Sequence, residues 1–216
     1  GLNLFNIPGK SDLKQKAIFG EISYALADNY TLTLGARYFD YDSEDRSGFT
    51  VFSTSAPLDS VESSSTGTSY KVNLSYNLSD DILLYGQWAE GFRLGSGEPN
   101  PNPDSLCDPD GNGIVDELGI PRPTKLESDT SESFELGMKA TLMDERVSFN
   151  AAIYSIEWDD IPETVLVTSS CALNLNTGKA SAEGIEIEIQ TALSENFRLD
   201  TSASYSEATY DEDGTL

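Results

Sequence analysis

The sharpest local motif of hard oxygen donors in the chain is residues 107–119, CDPDGNGIVDELG. Asp108, Asp110 and Asn112 put side-chain oxygens at positions one, three and five of a loop, and Gly113 permits the sharp turn that follows. Ile114 would offer a backbone carbonyl, and Asp116 falls at position nine. This is the first part of an EF-hand-like calcium loop. Position twelve is Gly119 instead of Glu, so the bidentate ligand is missing. The expectation is a weak Ca²⁺ site akin to shorter Asp-rich extracellular loops, with Asp116 or Glu117 completing the shell. The alternative is an acidic, solvated turn without metal. Cys107 directly precedes this loop, and the second of the two cysteines, Cys171, lies far along the chain. That is not a zinc-type spacing. In an exported protein it suggests a disulfide between neighbouring loops, against the alternative of two free thiols.

The expectation is that the chain is not an enzyme. The chain has no histidine, so no Ser–His–Asp triad can form and the commonest general base is missing. Glu186 and Glu188 share one strand face and could be read as a glycosidase pair, but charged lining is the commoner use of such residues. Phe92, Arg93 and Trp158 sit near the bases of long loops, where they could touch a ligand; the alternative for the aromatics is anchoring at a membrane interface.

The net charge is −24, from 37 acidic and 13 basic residues. That excludes nucleic acid, whose phosphates demand a basic partner. An acidic surface instead attracts divalent cations. No apolar run approaches the ~18–20 residues of a membrane helix, so any membrane crossing must use strands.

Strands are what the pattern offers. Alternation with period two marks eight segments: 17–27, 30–42, 70–78, 82–92, 133–142, 146–158, 183–191 and 196–210. In 70–78, for example, Tyr70, Val72, Leu74 and Tyr76 oppose Lys71, Asn73, Ser75 and Asn77. Short turns near 28, 80, 144 and 195 take turns with long polar stretches at 43–66, 93–130 and 159–179. Outer-membrane barrels alternate tight periplasmic turns with long extracellular loops in this way. Tyr24, Tyr30, Tyr76 and Phe197 lie beside short turns, while Tyr38, Trp88, Trp158 and Tyr205 lie toward the loops. Two such levels suggest aromatic girdles. The competing fold is a soluble β-sandwich or lipocalin-like barrel, whose strands also alternate.

If the short turns are periplasmic, both termini lie on the outer side, where a complete barrel would not place them. Eight strands with open edges would also strand polar backbone in hydrocarbon. No signal peptide opens the chain. The expectation is therefore a fragment: an all-β, antiparallel, up-and-down segment of about eight consecutive strands, with residues 1–216 forming part of a larger barrel.

From residue 82 onward the sequence resembles the TonB-dependent receptor family. Residues 82–95 are similar to a family strand ending in Gly-Phe-basic (Gly91, Phe92, Arg93). Residues 132–158 resemble its next hairpin, with Glu135, Gly137 and Lys139, and residues 176–191 resemble an Asn-x-Gly-x-Ala…Gly-Ile-Glu-x-Glu segment (Asn176, Gly178, Ala180, Gly184, Ile185, Glu186, Glu188). The resemblance implies a 22-stranded barrel in the bacterial outer membrane, bedded in lipid and lipopolysaccharide. It implies uptake of a scarce, bulky, siderophore-like ligand, energised by the TonB complex through an N-terminal region not present here. Plug domain, energising box and terminal aromatic strand are absent. A passive channel or a surface adhesin barrel is the alternative, and a soluble β-binding module a further one.

Overall fold

The computed structural model describes residues 5–6, 9–47, 50–51, 54–55, 59–95, 107–123 and 125–211. Eight long strands dominate: β1 (Gly9–Ala27), β2 (Tyr30–Ser47), β3 (Asp59–Ser79), β4 (Ile82–Arg93), β5 (Asp129–Leu142), β6 (Val147–Leu166), β7 (Ala172–Ser194) and β8 (Phe197–Asp211). Each pairs antiparallel with its neighbours in the chain, giving one eight-stranded sheet in sequence order. Among the described residues β1 and β8 each keep one edge unpaired, so the barrel is not closed in this segment.

Register fixes the two faces. Leu34 opposes Ile22 and Val72, and Leu136 opposes Ile153, so apolar side chains line up across the sheet. The other face carries Glu21, Lys71, Asn73, Gln87, Glu135 and Glu186. Large hydrophobics of the apolar face are open to the surroundings, Ile22 at 76% and Leu136 at 62%. A soluble sandwich would cover such a face; a bilayer supplies the cover here.

Four short turns close one end of the sheet. Neighbouring turns are tied by backbone bonds, Asn77 N–H to Asn29 O, Thr141 N–H to Asp81 O and Ala192 N–H to Arg146 O, each 2.8 Å. Met143, Asp144 and Glu145 all take left-handed backbone (φ 57°, 52° and 65°), sparsely populated for residues with a Cβ. Arg146 holds that turn by donating to the carbonyls of Ala192 and Leu193.

At the other end two expected loops prove much shorter. The stretch 43–66 is largely strand, because β2 runs to Ser47 and β3 starts at Asp59. The stretch 159–179 is likewise strand apart from residues 167–171, between β6 and β7. Alternation of apolar and polar residues ends where hydrocarbon ends, but ladder hydrogen bonds continue in water. Ser- and Asp-rich strand is therefore invisible to a hydrophobicity pattern. The long connection between Arg93 and Asp129 remains, and carries a small ribbon pairing Ile114–Val115 with Ile120–Pro121.

Candidate functional site

Three ends of strands meet at the base of the long connection. Register places Asp129 opposite Arg93, and Ser131 opposite Trp158. On the polar face, Arg93 donates to Asp129 Oδ2, and its guanidinium lies 5.0 Å from the Trp158 ring centroid. Asp129 is buried (1% exposed), whereas the Arg93 side chain is 55% exposed. The arrangement is a planar cation held from behind by a carboxylate and supported by an aromatic face. Trp158 therefore stands on the polar face, away from any lipid girdle. Its parity along β6, one residue out of step with Ile153, sends it there.

Phe92 does something different. Its ring stacks on Phe39, centroids 3.7 Å apart and planes 11° apart, so packing occupies the face that a ligand would use. Nearby, the buried Tyr41 hydroxyl donates to Gly95 O and lies 3.3 Å from Ser128 Oγ. Hydropathy pattern gave no warning of Phe39, Tyr41 or Asp129, because their burial depends on strands distant in sequence.

Cys107 and Cys171 form a disulfide (Cα–Cα 5.1 Å) that bolts the long connection to the β6–β7 hairpin. Both cysteines, Val115 and Leu173 make a small core, flanked by Leu118, Ile120, Val167 and Leu175. Around it the acidic loop folds onto its own amides. Asp108 accepts from Asn112 N–H (2.9 Å) and Gly113 N–H (2.8 Å), Asp110 from Asn112 N–H (3.1 Å), and Asn112 Oδ1 from Ile114 N–H (2.7 Å). Gly111, Gly113 and Gly119 all have positive φ, the backbone such tight turning requires. Burial pushes the Asp108 carboxyl up, but the Gly113 and Asn112 amides outweigh it and hold it below its ordinary 3.8. Asp116 moves the other way: burial, then the charges of Asp110, Asp108 and Glu117, push it up. Among the described residues no three His, Cys, Asp or Glu side chains converge as a metal cluster. The side-chain oxygens of Asp108, Asp110 and Asn112, expected to face calcium, accept instead from backbone amides of the loop.

A family profile described as TonB dependent receptor-like, beta-barrel matches residues 2–216. The chain belongs to that family. Its place is the bacterial outer membrane, and TonB-dependent receptors are transport receptors, not an enzyme family. No curated protein matches by sequence. Solved structures agree in fold. The ferric yersiniabactin uptake receptor FyuA of Yersinia pestis is 18% identical with TM-score 0.73, over 97% of this chain and 29% of that one. The ferric-catecholate import receptor Fiu of E. coli K12, in its closed form, is 16% identical with TM-score 0.66, over 94% and 29%. The siderophore receptor PiuA of Acinetobacter baumannii is 14% identical with TM-score 0.69, over 93% and 26%. The chain thus spans less than a third of these receptors.

Within this TonB-dependent receptor segment the polar face lines the barrel interior, so Arg93 and Trp158 look inward at the loop end. Asn176, from the family-like segment, acts as a structural tie. Its amide donates to Glu127 O (3.0 Å) and Asp160 O (2.7 Å), while its Oδ1 accepts from Glu127 N–H (2.9 Å). It closes the base of the long connection onto a bulge in β6, where Asp160 has φ 60°.

Proposed function

We propose that the complete protein is an active-transport receptor of the outer membrane that imports a scarce, bulky nutrient, an iron–siderophore complex, with energy relayed through TonB. The observation that carries this is the family match over residues 2–216. The siderophore receptors among its structural neighbours supply the cargo. In this proposal the loop end faces outward, the apolar face meets lipid and lipopolysaccharide, and the preceding part of the receptor meets TonB. Arg93 and Trp158 contribute to the ligand-facing wall, while Phe92 supports it through Phe39.

The deciding experiment is uptake of radiolabelled iron, supplied as a panel of ferric siderophores, by cells that carry the full-length gene as their sole receptor. Uptake is expected for at least one siderophore and should vanish when TonB is deleted. Uptake that persists without TonB would point to a passive channel. Strong cell attachment with no uptake of any ligand would point to an adhesin.

For the 107–119 loop we propose weak calcium binding, in which Asp108, Asp110, Asn112 and the Ile114 carbonyl turn to the ion and Asp116 joins them. Burial, then the charges of Asp110, Asp108 and Glu117, raise Asp116, and a bound cation would offset those charges. Calorimetric titration of the full receptor should then give a dissociation constant of roughly 10⁻⁴–10⁻³ M, lost in Asp108→Asn/Asp110→Asn. Heat signals that are identical in that variant would leave the loop a metal-free turn.

A further inference from the structure

The β3–β4 ladder stops at Lys71 opposite Ala89. Yet β3 stays paired with β2 as far as Asp59 opposite Ser47, and β4 with β5 as far as Arg93 opposite Asp129. Toward the loop end the two strands diverge and leave a cleft of about 280 Å³ between residues 65–69 on one side and 90–92 and 128–132 on the other. The Phe39 ring, lying over Gly67 with no room for a Cβ there and stacked on Phe92, packs in this opening.

One wall of the cleft is a strand edge. Tyr70 N–H donates 2.9 Å to Glu90 Oε2, so it points away from β2 and toward the cleft. Strand periodicity aims the main-chain groups of Thr68 and Thr66 the same way. Both threonines are exposed, and no described strand pairs with this edge beyond Lys71. The Glu90 carboxylate occupies, at Tyr70, the place that a partner strand's carbonyl would take.

We propose that this cleft docks an extended, basic polypeptide segment of another protein, which adds as a strand to the free edge of β3. An unpaired edge is a template for such addition. Charge selects the occupant: the described lining residues include Glu90 and Glu132 and no Lys or Arg. A second copy fits poorly, because its own matching edge, residues 60–70, carries Glu62 and no Lys or Arg to offer the acidic cleft. The small, exposed side chains of Ser64, Thr66 and Thr68 leave room for the larger side chains of an incoming strand.

The test uses the full-length receptor in detergent and two fluorescent peptides of roughly ten residues, enough for one strand, one alternating Lys with Thr and the other Glu with Thr. The basic peptide should bind at least ~10-fold more tightly. Thr66→Pro with Thr68→Pro deletes amides that face the cleft and none of the ladder to β2. It should weaken binding by ~10-fold or more while heat-modifiable migration stays normal. If that variant fails to fold, Glu90→Gln with Glu132→Gln should erase most of the preference for the basic peptide. Equal binding of both peptides overturns the proposal, as does a preference untouched by the glutamine pair or binding untouched by the prolines. So does a receptor dimer abolished by the same prolines, or displacement of the peptide by lipopolysaccharide alone.

Discussion

The turn-proximal two-thirds of the sheet and its loop end obey opposite rules. In the first, large apolar side chains such as Ile22 and Leu136 face outward with no protein cover, and charged ones such as Glu21 and Lys71 pair on the other face, 2.9 Å apart. At the loop end the buried residues gather: Phe39, Tyr41, Cys107, Val115, Cys171 and Leu173. The first region is built for hydrocarbon, where exposed Leu is stable and only backbone pairing is compulsory. The second is built for water, where apolar groups must find each other and a small core needs a covalent staple. The comparison teaches that one continuous strand can serve two solvents without a break in its ladder.

The sharpest way to break this contrast is to remove the staple. Cys107→Ser with Cys171→Ser opens a bridge spanning 64 residues, which chain entropy values at about 4 kcal/mol. Protease should then cut the long connection in the folded receptor while the barrel keeps its heat-modifiable migration. Next comes Leu136→Arg on the apolar face. It should cost roughly 2–4 kcal/mol if it sits near the bilayer midplane, read by urea unfolding in lipid vesicles. Thr68→Arg, on the same face but beyond the apolar band, should change stability little in the same measurement.

A smaller effect is expected at the joint between the regions. Tyr41→Phe deletes the hydroxyl that bonds Gly95 O, and should cost about 0.5–1.5 kcal/mol, seen as faster amide exchange at residues 94–95 and 126–129. The smallest effects lie in the acidic loop and carry opposite signs. Asp108 is held below 3.8, so its contribution is full above that value and is lost as pH falls through the lowered one. Asp116 is raised, so its ionisation opposes the loop fold as pH rises through the raised value, and acid relieves it. Limited proteolysis across pH should show Asp108→Asn removing the acid sensitivity of the loop, and Asp116→Asn tightening the loop at neutral pH.

How much of this was legible in the sequence differs by region. The eight strands and their short turns could be read because lipid on one face and polar lining on the other impose strict alternation, as in 70–78. The extra lengths of β2, β3, β6 and β7 could not, since above the membrane both faces are wet and Ser, Thr and Asp carry no periodic signal. At the site, Arg93 and Trp158 could be picked out from their place beside a loop, but not Asp129 behind them. Trp158 is an inward platform and no girdle residue, a distinction that turns on parity within β6. The acidic loop was visible as a motif, although the side-chain oxygens of Asp108, Asp110 and Asn112 accept from backbone amides.

By itself the sequence determined that this chain makes long alternating strands and that any membrane crossing must use them, because period-two hydropathy and the lack of long apolar runs leave no other crossing. It also determined that catalysis by a histidine-dependent triad is closed to it. Only the tertiary structure decided which residues meet at the loop end. Arg93 meets Asp129 and Trp158, Phe92 meets Phe39, and Cys107 meets Cys171, through strand registers and a bulge that bring together residues tens of positions apart. The cleft beside β3 has the same origin. Where two ladders diverge is set by how whole strands twist and pair, and no local run of residues records it.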